Sequence, residues 1–333
     1  MKQQLPLIFP ESLKAGFQER LASLGSPYLD IEEFLVDVFP KVAALPKHLL
    51  KAILEFRNKP WSPGFLHLEN FPLDPVVPPT PTDETVPREK TTFVSEGWAL
   101  GIAQILGDPL GYHDEKQGAI IQNISPVKLE PWQTTSVNAE IELDFHVDLD
   151  YDREEPDLPF NIQNADVLVL FCLRQDPERQ ACTMYADARD IFKHLSDREI
   201  DLLREPRFQF GASYTFTGKV GTQKIWSANC PIFLGPDAYP EMGMDMFCGV
   251  RGTDEEAREM LAKVGRICRN EDVMQRVYLK AGDLLLINNR KGAHARTAFS
   301  CYYDGRDRWV QRVYTRRSLW EMRRRLGKTE RVF

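Results

Sequence analysis

Two side chains two residues apart, His146 and Asp148 in Leu143-Asp144-Phe145-His146-Val147-Asp148, constrain this chain more than any other feature. Alternate residues of a β-strand face the same side, so this spacing aims an imidazole and a carboxylate in one direction. A third ligand must come from elsewhere. The candidate is His294, in the run from Asp283 to Arg296. Two His and one carboxylate with open positions are the ligand set of non-haem Fe(II) sites that use O₂. His-x-Asp alone is a weak signal, since most such histidines are merely hydrogen-bonded. It gains weight from Arg308 and Arg312, which follow His294 at a distance that leaves room for one strand. A strand of that length returns an arginine beside the metal. There a guanidinium can hold the far carboxylate of a dicarboxylate co-substrate with a bidentate fork.

The rest of the chain predicts a mainly β protein with helical additions. Asp30-x-x-Glu33 and Thr253-x-x-Glu256 have capping-box spacing, the first opening a helical stretch over 10–58 and the second a helix to about Cys268. Pro40 and Pro46 should break the first stretch into short helices. Gly64 to Phe71 alternates like a strand, and the proline-dense run 72–87 reads as a surface crossover. A helix with one apolar face follows over 95–106. Short strands are expected at 118–124, 133–146, 167–173, 183–187, 208–216, 224–227 and 277–280, and a last one carries His294. Strands of this kind, with Gly/Pro turns and flanking helices, predict a double-stranded β-helix (jelly-roll) barrel core flanked by helices.

The net charge of −7 excludes general affinity for nucleic acid, whose phosphates demand a basic surface. No apolar run reaches the roughly 20 residues that span a bilayer, and the N-terminus lacks a signal-peptide core, so a cytoplasmic protein is expected. The six cysteines form no Cys-x-x-Cys pair and read as reduced thiols.

Several runs together resemble a known family. They are Pro78-Pro79-Thr80-Pro81, Asn123-Ile124-Ser125-Pro126-Val127, Leu143-x-x-His146-x-Asp148, Asn288 to Arg296, and Tyr303-Asp304-Gly305-Arg306-Asp307-Arg308-Trp309-Val310-Gln311-Arg312. From about Gly64 to Tyr314 the chain resembles the clavaminate synthase-like branch of the Fe(II)/2-oxoglutarate dioxygenases, relatives of taurine dioxygenase. Within that branch it is similar to the amino-acid hydroxylases. The resemblance implies an N-terminal helical cap, residues 1–60, on a jelly-roll dioxygenase domain, 61–333, the two forming one unit.

The resemblance also implies roles. His146, Asp148 and His294 would bind Fe(II); 2-oxoglutarate and O₂ would fill the remaining positions. Arg308 and Thr183 match the residues on the far carboxylate of 2-oxoglutarate, and Arg312 matches one near the carboxylates of substrate or co-substrate. Ser213 and Asp245 match substrate contacts. Only Asp245 remains where arginine-specific relatives carry two aspartates, with Cys248 near the second. That favours a free, basic L-amino acid, lysine or arginine or a derivative, bound by a monomer or homodimer. Asp148 stands where related halogenases lack a carboxylate, so halogenation is excluded. It also stands where the nearest hydroxylases often carry Glu, and Ala295 replaces a common Gly. Desaturation or cyclisation would use the same residues. A jelly-roll protein holding a structural zinc is the competing class, and a lid role for the acidic run Asp150 to Asp157 is a further expectation.

Overall fold

A computed structural model describes residues 5–83, 85–113, 115–128, 139–148, 164–211, 226–246, 249–325 and 330–333, with 323–325 described by their backbone alone. The acidic run Asp150 to Asp157, Ser213 and Cys248 lie outside the described residues.

A short strand β1 (Leu7–Ile8) precedes helices α1 (Lys14–Ala22), α2 (Ile31–Ala43) and α3 (Lys47–Asn58). Asp30 caps α2 as its spacing predicts, accepting the Glu33 N–H at 3.0 Å. Pro40 does not break the helix; it lies inside α2. It and Val36 are both exposed, so the carbonyl that loses its partner is free to bond water. Pro46 does end the run, standing at the N-cap of α3.

After β2 (Phe65–Glu69) the proline-dense connector proves to be anchored rather than a surface crossover. Lys90 Nζ lies 2.9 Å from Asp74 Oδ1 and 2.8 Å from Glu96 Oε2, and all three side chains are wholly buried. Arg174 adds bonds to the Pro78 carbonyl at 2.9 Å and Thr80 Oγ1 at 2.6 Å. Glu96 belongs to α4 (Val94–Leu106), which is buried on nearly every side rather than along one apolar face.

The chain continues through β3 (Asp108–Leu110), β4 (Ile121–Ile124), β5 (Leu143–His146), β6 (Val167–Arg174), β7 (Thr183–Asp187), α5 (Ala188–Phe192) and α6 (Asp197–Leu203). Next come β8 (Phe208–Phe210), β9 (Phe233–Leu234), β10 (Glu241–Met242), β11 (Val250–Gly252), α7 (Glu255–Cys268), β12 (Met274–Val277), β13 (Leu284–Asn288), β14 (Gly292–Arg296) and β15 (Trp309–Arg316). The cap of α7 is Asp254 and not Thr253: its carboxylate accepts the Ala257 N–H at 3.0 Å, while Thr253 turns to the Arg207 carbonyl. The stretch read as one distal-His strand is two, β13 and β14, folded back at Asn289–Lys291.

Among the described residues the strands form a seven-stranded sheet, ordered β1-β2-β13-β6-β15-β3 with β4 also on β15, and a four-stranded sheet ordered β12-β7-β14-β5. The two pack through Phe65, Leu168, Leu285, Val310 and Tyr314 of the larger and Tyr185 and Val277 of the smaller. The larger sheet's other face meets α1 to α4 in one apolar cluster around Trp98 and Phe171. No described helix is long and apolar enough to cross a membrane.

Glu96 ties these layers together. It also accepts from Tyr28 ahead of α2 at 3.1 Å and from Gln311 of β15 at 2.9 Å. Lys90→Met keeps the bulk of the side chain but leaves Asp74 and Glu96 without a counter-charge. We expect a loss of about 3–5 kcal/mol of stability, measured by chemical denaturation of the two proteins.

Candidate active site

β5 and β14 are antiparallel neighbours, and their register sets His146 directly against His294. The ring centroids are 4.2 Å apart. Asp148 lies two residues past His146, beyond the end of β5, so it is not held by the strand as the spacing predicted. Asn289, in the β13–β14 turn, holds it instead. Its Oδ1 accepts the Asp148 N–H at 2.8 Å and its Nδ2 donates to the Asp148 carbonyl at 2.8 Å. Asp148 Oδ1 is 3.4 Å from His146 Nε2, and ligand atoms of His146, Asp148 and His294 lie within 4.8 Å of one another.

The protonation states of Asp148 and His294 suit a metal, while at His146 burial is outweighed by Asp148 and Asp245, which raise it. His146 Nδ1 bonds the Asp144 carbonyl at 2.7 Å, leaving Nε2 toward Asp148. Burial, and then the charge of His146, bring His294 down to about 3, so it is neutral at ordinary pH. Its Nδ1 is buried with no hydrogen-bond partner among the described residues. Burial raises the Asp148 carboxyl, but Arg312 and the two imidazoles outweigh it and hold the group well below the usual carboxylate range. Two imidazoles, one ionised carboxylate and an unsatisfied ring nitrogen fit a divalent cation such as Fe(II).

A second group, His67, Glu69 and Asp283, also clusters. Here Lys280 supplies the positive charge, its ammonium 3.7 Å from Glu69 and its N–H 2.9 Å from Asp283 Oδ2. His67 Nε2 is already on Asp283 at 3.1 Å. That group is satisfied without a metal.

The other expected residues fall around the triad. Arg312, on β15, puts Nη1 3.3 Å from Asp148 Oδ2, and its Nε bonds Gln122 Oε1 at 2.9 Å. It also pairs with Glu115, whose carboxyl burial pushes up against the pull of Arg312. Arg308 is buried just before β15 and makes no hydrogen bond or ion pair among the described residues; its guanidinium carbon lies 5.9 Å from the centre of the Phe299 ring. The Asp304 and Asp307 beside it in sequence are engaged elsewhere, with Arg306 and with the Tyr302 and Tyr303 N–H groups. Arg296 approaches the same ring at 5.1 Å; burial, and then Arg308, lower it to about 9. Thr183 opens β7 and is the register partner of Arg296. Asp245 bridges to His146 across the free edge of β5, where Val147 N–H donates to the Met244 carbonyl at 2.7 Å.

Three residues at the site escaped the sequence reading: Asn289, Glu115 and Tyr314. Tyr314 Oη is 3.1 Å from Asp148 Oδ2 and 3.2 Å from Glu115 Oε1. The alternation of β15 carried its signal, because Arg312 and Tyr314 are two apart.

Residues 61–314 match the family described as taurine catabolism dioxygenase TauD, TfdA family. The chain belongs to that dioxygenase family. It is 28% identical to the L-lysine 3-hydroxylase of Catenulispora acidiphila, over 91% of this chain and 82% of that protein. It is 30% identical to the L-asparagine oxygenase of Streptomyces coelicolor, over 81% of this chain and 76% of that one. A crystal structure of asparagine oxygenase with Fe(II), 2S,3S-3-hydroxyasparagine and succinate superposes with a TM-score of 0.85 at 26% identity, covering 99% of both chains. Membership in an oxygenase family removes the reading of a metal-binding module without catalysis.

Asn289→Ala would release the main chain of Asp148. The expected result is about a tenfold loss of Mn(II) affinity in the metal-free protein, followed by electron paramagnetic resonance of the free ion. The same titration of His294→Ala should show no stoichiometric binding.

Proposed function

We propose that this protein is an Fe(II)- and 2-oxoglutarate-dependent hydroxylase of a free, basic L-amino acid, built on a double-stranded β-helix core with residues 1–60 as its helical cap. Iron bound at His146, Asp148 and His294 would supply, with 2-oxoglutarate and O₂, the oxidant for an unactivated C–H bond, leaving succinate and CO₂. The reading is carried by Arg308. A buried guanidinium that makes no hydrogen bond or ion pair among the described residues is costly. The far carboxylate of 2-oxoglutarate answers it, with the Thr183 hydroxyl as a second donor.

The substrate's polar groups have complementary partners. Glu115 and Arg312 are an acid and a base side by side next to the metal carboxylate. Glu115 accepts the ammonium of an amino acid and Arg312 donates to its carboxylate. Asp245, buried opposite His146, adds a negative charge for a cationic side chain. Relatives that act on lysine, on asparagine and on ornithine or arginine support an amino-acid substrate.

The test is succinate release on exposure to O₂, after anaerobic loading with Fe(II) and 2-oxoglutarate and addition of single L-amino acids. Stimulation by lysine or arginine, with a product that has gained one oxygen, is expected. Stimulation by asparagine alone would overturn the basic substrate; stimulation by none would overturn the amino-acid reading. A product that has lost two hydrogens would assign desaturation instead. Arg308→Ala should raise the 2-oxoglutarate requirement by on the order of 2–5 kcal/mol of binding, seen as a rise in its KM. Asp245→Asn should raise the KM for a basic amino acid more than for asparagine.

A further inference from the structure

We infer that Tyr314 is a positioning residue for Asp148: its hydroxyl occupies carboxylate oxygen Oδ2 and leaves Oδ1 alone for a bound metal ion. The inference rests on the reading of His146, Asp148 and His294 as the metal site. The two oxygens of Asp148 have different surroundings. Oδ1 points to the imidazoles, 3.4 Å from His146 Nε2. Oδ2 points away from them, with Tyr314 Oη at 3.1 Å and Arg312 Nη1 at 3.3 Å. Asn289 clamps the main chain of Asp148 but leaves the carboxylate free to turn about its last torsion, which is broad and two-fold. The donors on Oδ2 remove that freedom.

Tyr314 Oη lies within reach of both Asp148 Oδ2 and Glu115 Oε1, and because Glu115 Oε1 already accepts from Arg312, the single phenol proton is assigned to Asp148. Arg312 divides its nitrogens among Asp148, Gln122 and Glu115, and it is also the donor proposed for the substrate carboxylate. Tyr314 is 2% exposed, braced by the Tyr112 ring on one side and the Arg312 guanidinium 4.4 Å from its ring centre on the other.

The arrangement matters for the number of open positions. An octahedral ion held by two imidazoles and one carboxylate oxygen keeps three positions, enough for a bidentate 2-oxo acid and for O₂. A carboxylate that used both oxygens would take one of them. Ligand-orienting hydrogen bonds of this kind change metal affinity by about 10–100-fold when removed.

The experiment uses the full-length, metal-free protein and Mn(II), with two readouts that do not depend on turnover. One is Mn(II) affinity; the other is the infrared difference spectrum on metal addition, in which a carboxylate bound by one oxygen shows a wide separation between its antisymmetric and symmetric stretches. The wild type should show the wide separation. Tyr314→Phe should bind Mn(II) about tenfold more weakly, with a narrowed separation. Tyr112→Phe, which leaves the hydroxyl in place, should match the wild type in both. The inference is overturned if Tyr314→Phe keeps the wide separation, with or without a loss of affinity, or if Tyr112→Phe loses as much as Tyr314→Phe. A narrow separation in the wild type overturns it whether or not Tyr314→Phe folds. If His294→Ala binds Mn(II) as tightly as the wild type, the metal-site reading has failed instead.

Discussion

A carboxylate taken out of water needs direct interactions in return, and Asp148 draws them from several parts of the chain. Desolvating one such ion costs several kcal/mol even after relaxation. The chain answers with a guanidinium, a phenol and an imidazole on the side chain, and a carboxamide on both sides of the backbone. These groups come from β15, from β5 and from the β13–β14 turn, which lie far apart in sequence. A misplacement of either sheet against the other would strand the charge, so packing and site are specified together.

The cluster of His146, Asp148 and His294 was legible because strand alternation is a strong rule and His146 and Asp148 obey its spacing. The rule succeeded for a partly different reason: β5 has ended before Asp148, and Asn289 extends the geometry by side-chain bonds. An Asn in a turn ordinarily reads as turn chemistry, so that role had no local signature. Glu115 was illegible for another reason. It sits in an irregular segment where Lys116 and Gln117 both adopt positive φ, and no periodicity points it at Arg312. Pro40 shows the opposite error, a strong local signal overruled because the orphaned carbonyl faces solvent.

Arg308 and Arg312 were found together by spacing, yet they occupy different electrostatic situations. Arg312 bonds Asp148, Glu115 and Gln122, and the lowering by burial is outweighed by Tyr314, Glu115 and Asp148, which together raise it further. Arg308 is lowered by burial, with Cys172 and Asp176 as distant compensation. The first is compensated by carboxylates; the second makes no hydrogen bond or ion pair among the described residues.

Glu96 carries a consequence for where this enzyme can be cut. The family match begins at residue 61, but the tyrosine that reaches Glu96 precedes α2, and α1 to α3 cover Trp98 and its neighbours. Excising 61–314 would expose a helix buried on nearly every side and leave Glu96 one donor short. Gln311, bonded to that same carboxylate, is the residue before Arg312. The N-terminal helices and the strand that carries Arg312 are thus linked through a single acid, and modular exchange of one without the other would be felt by both.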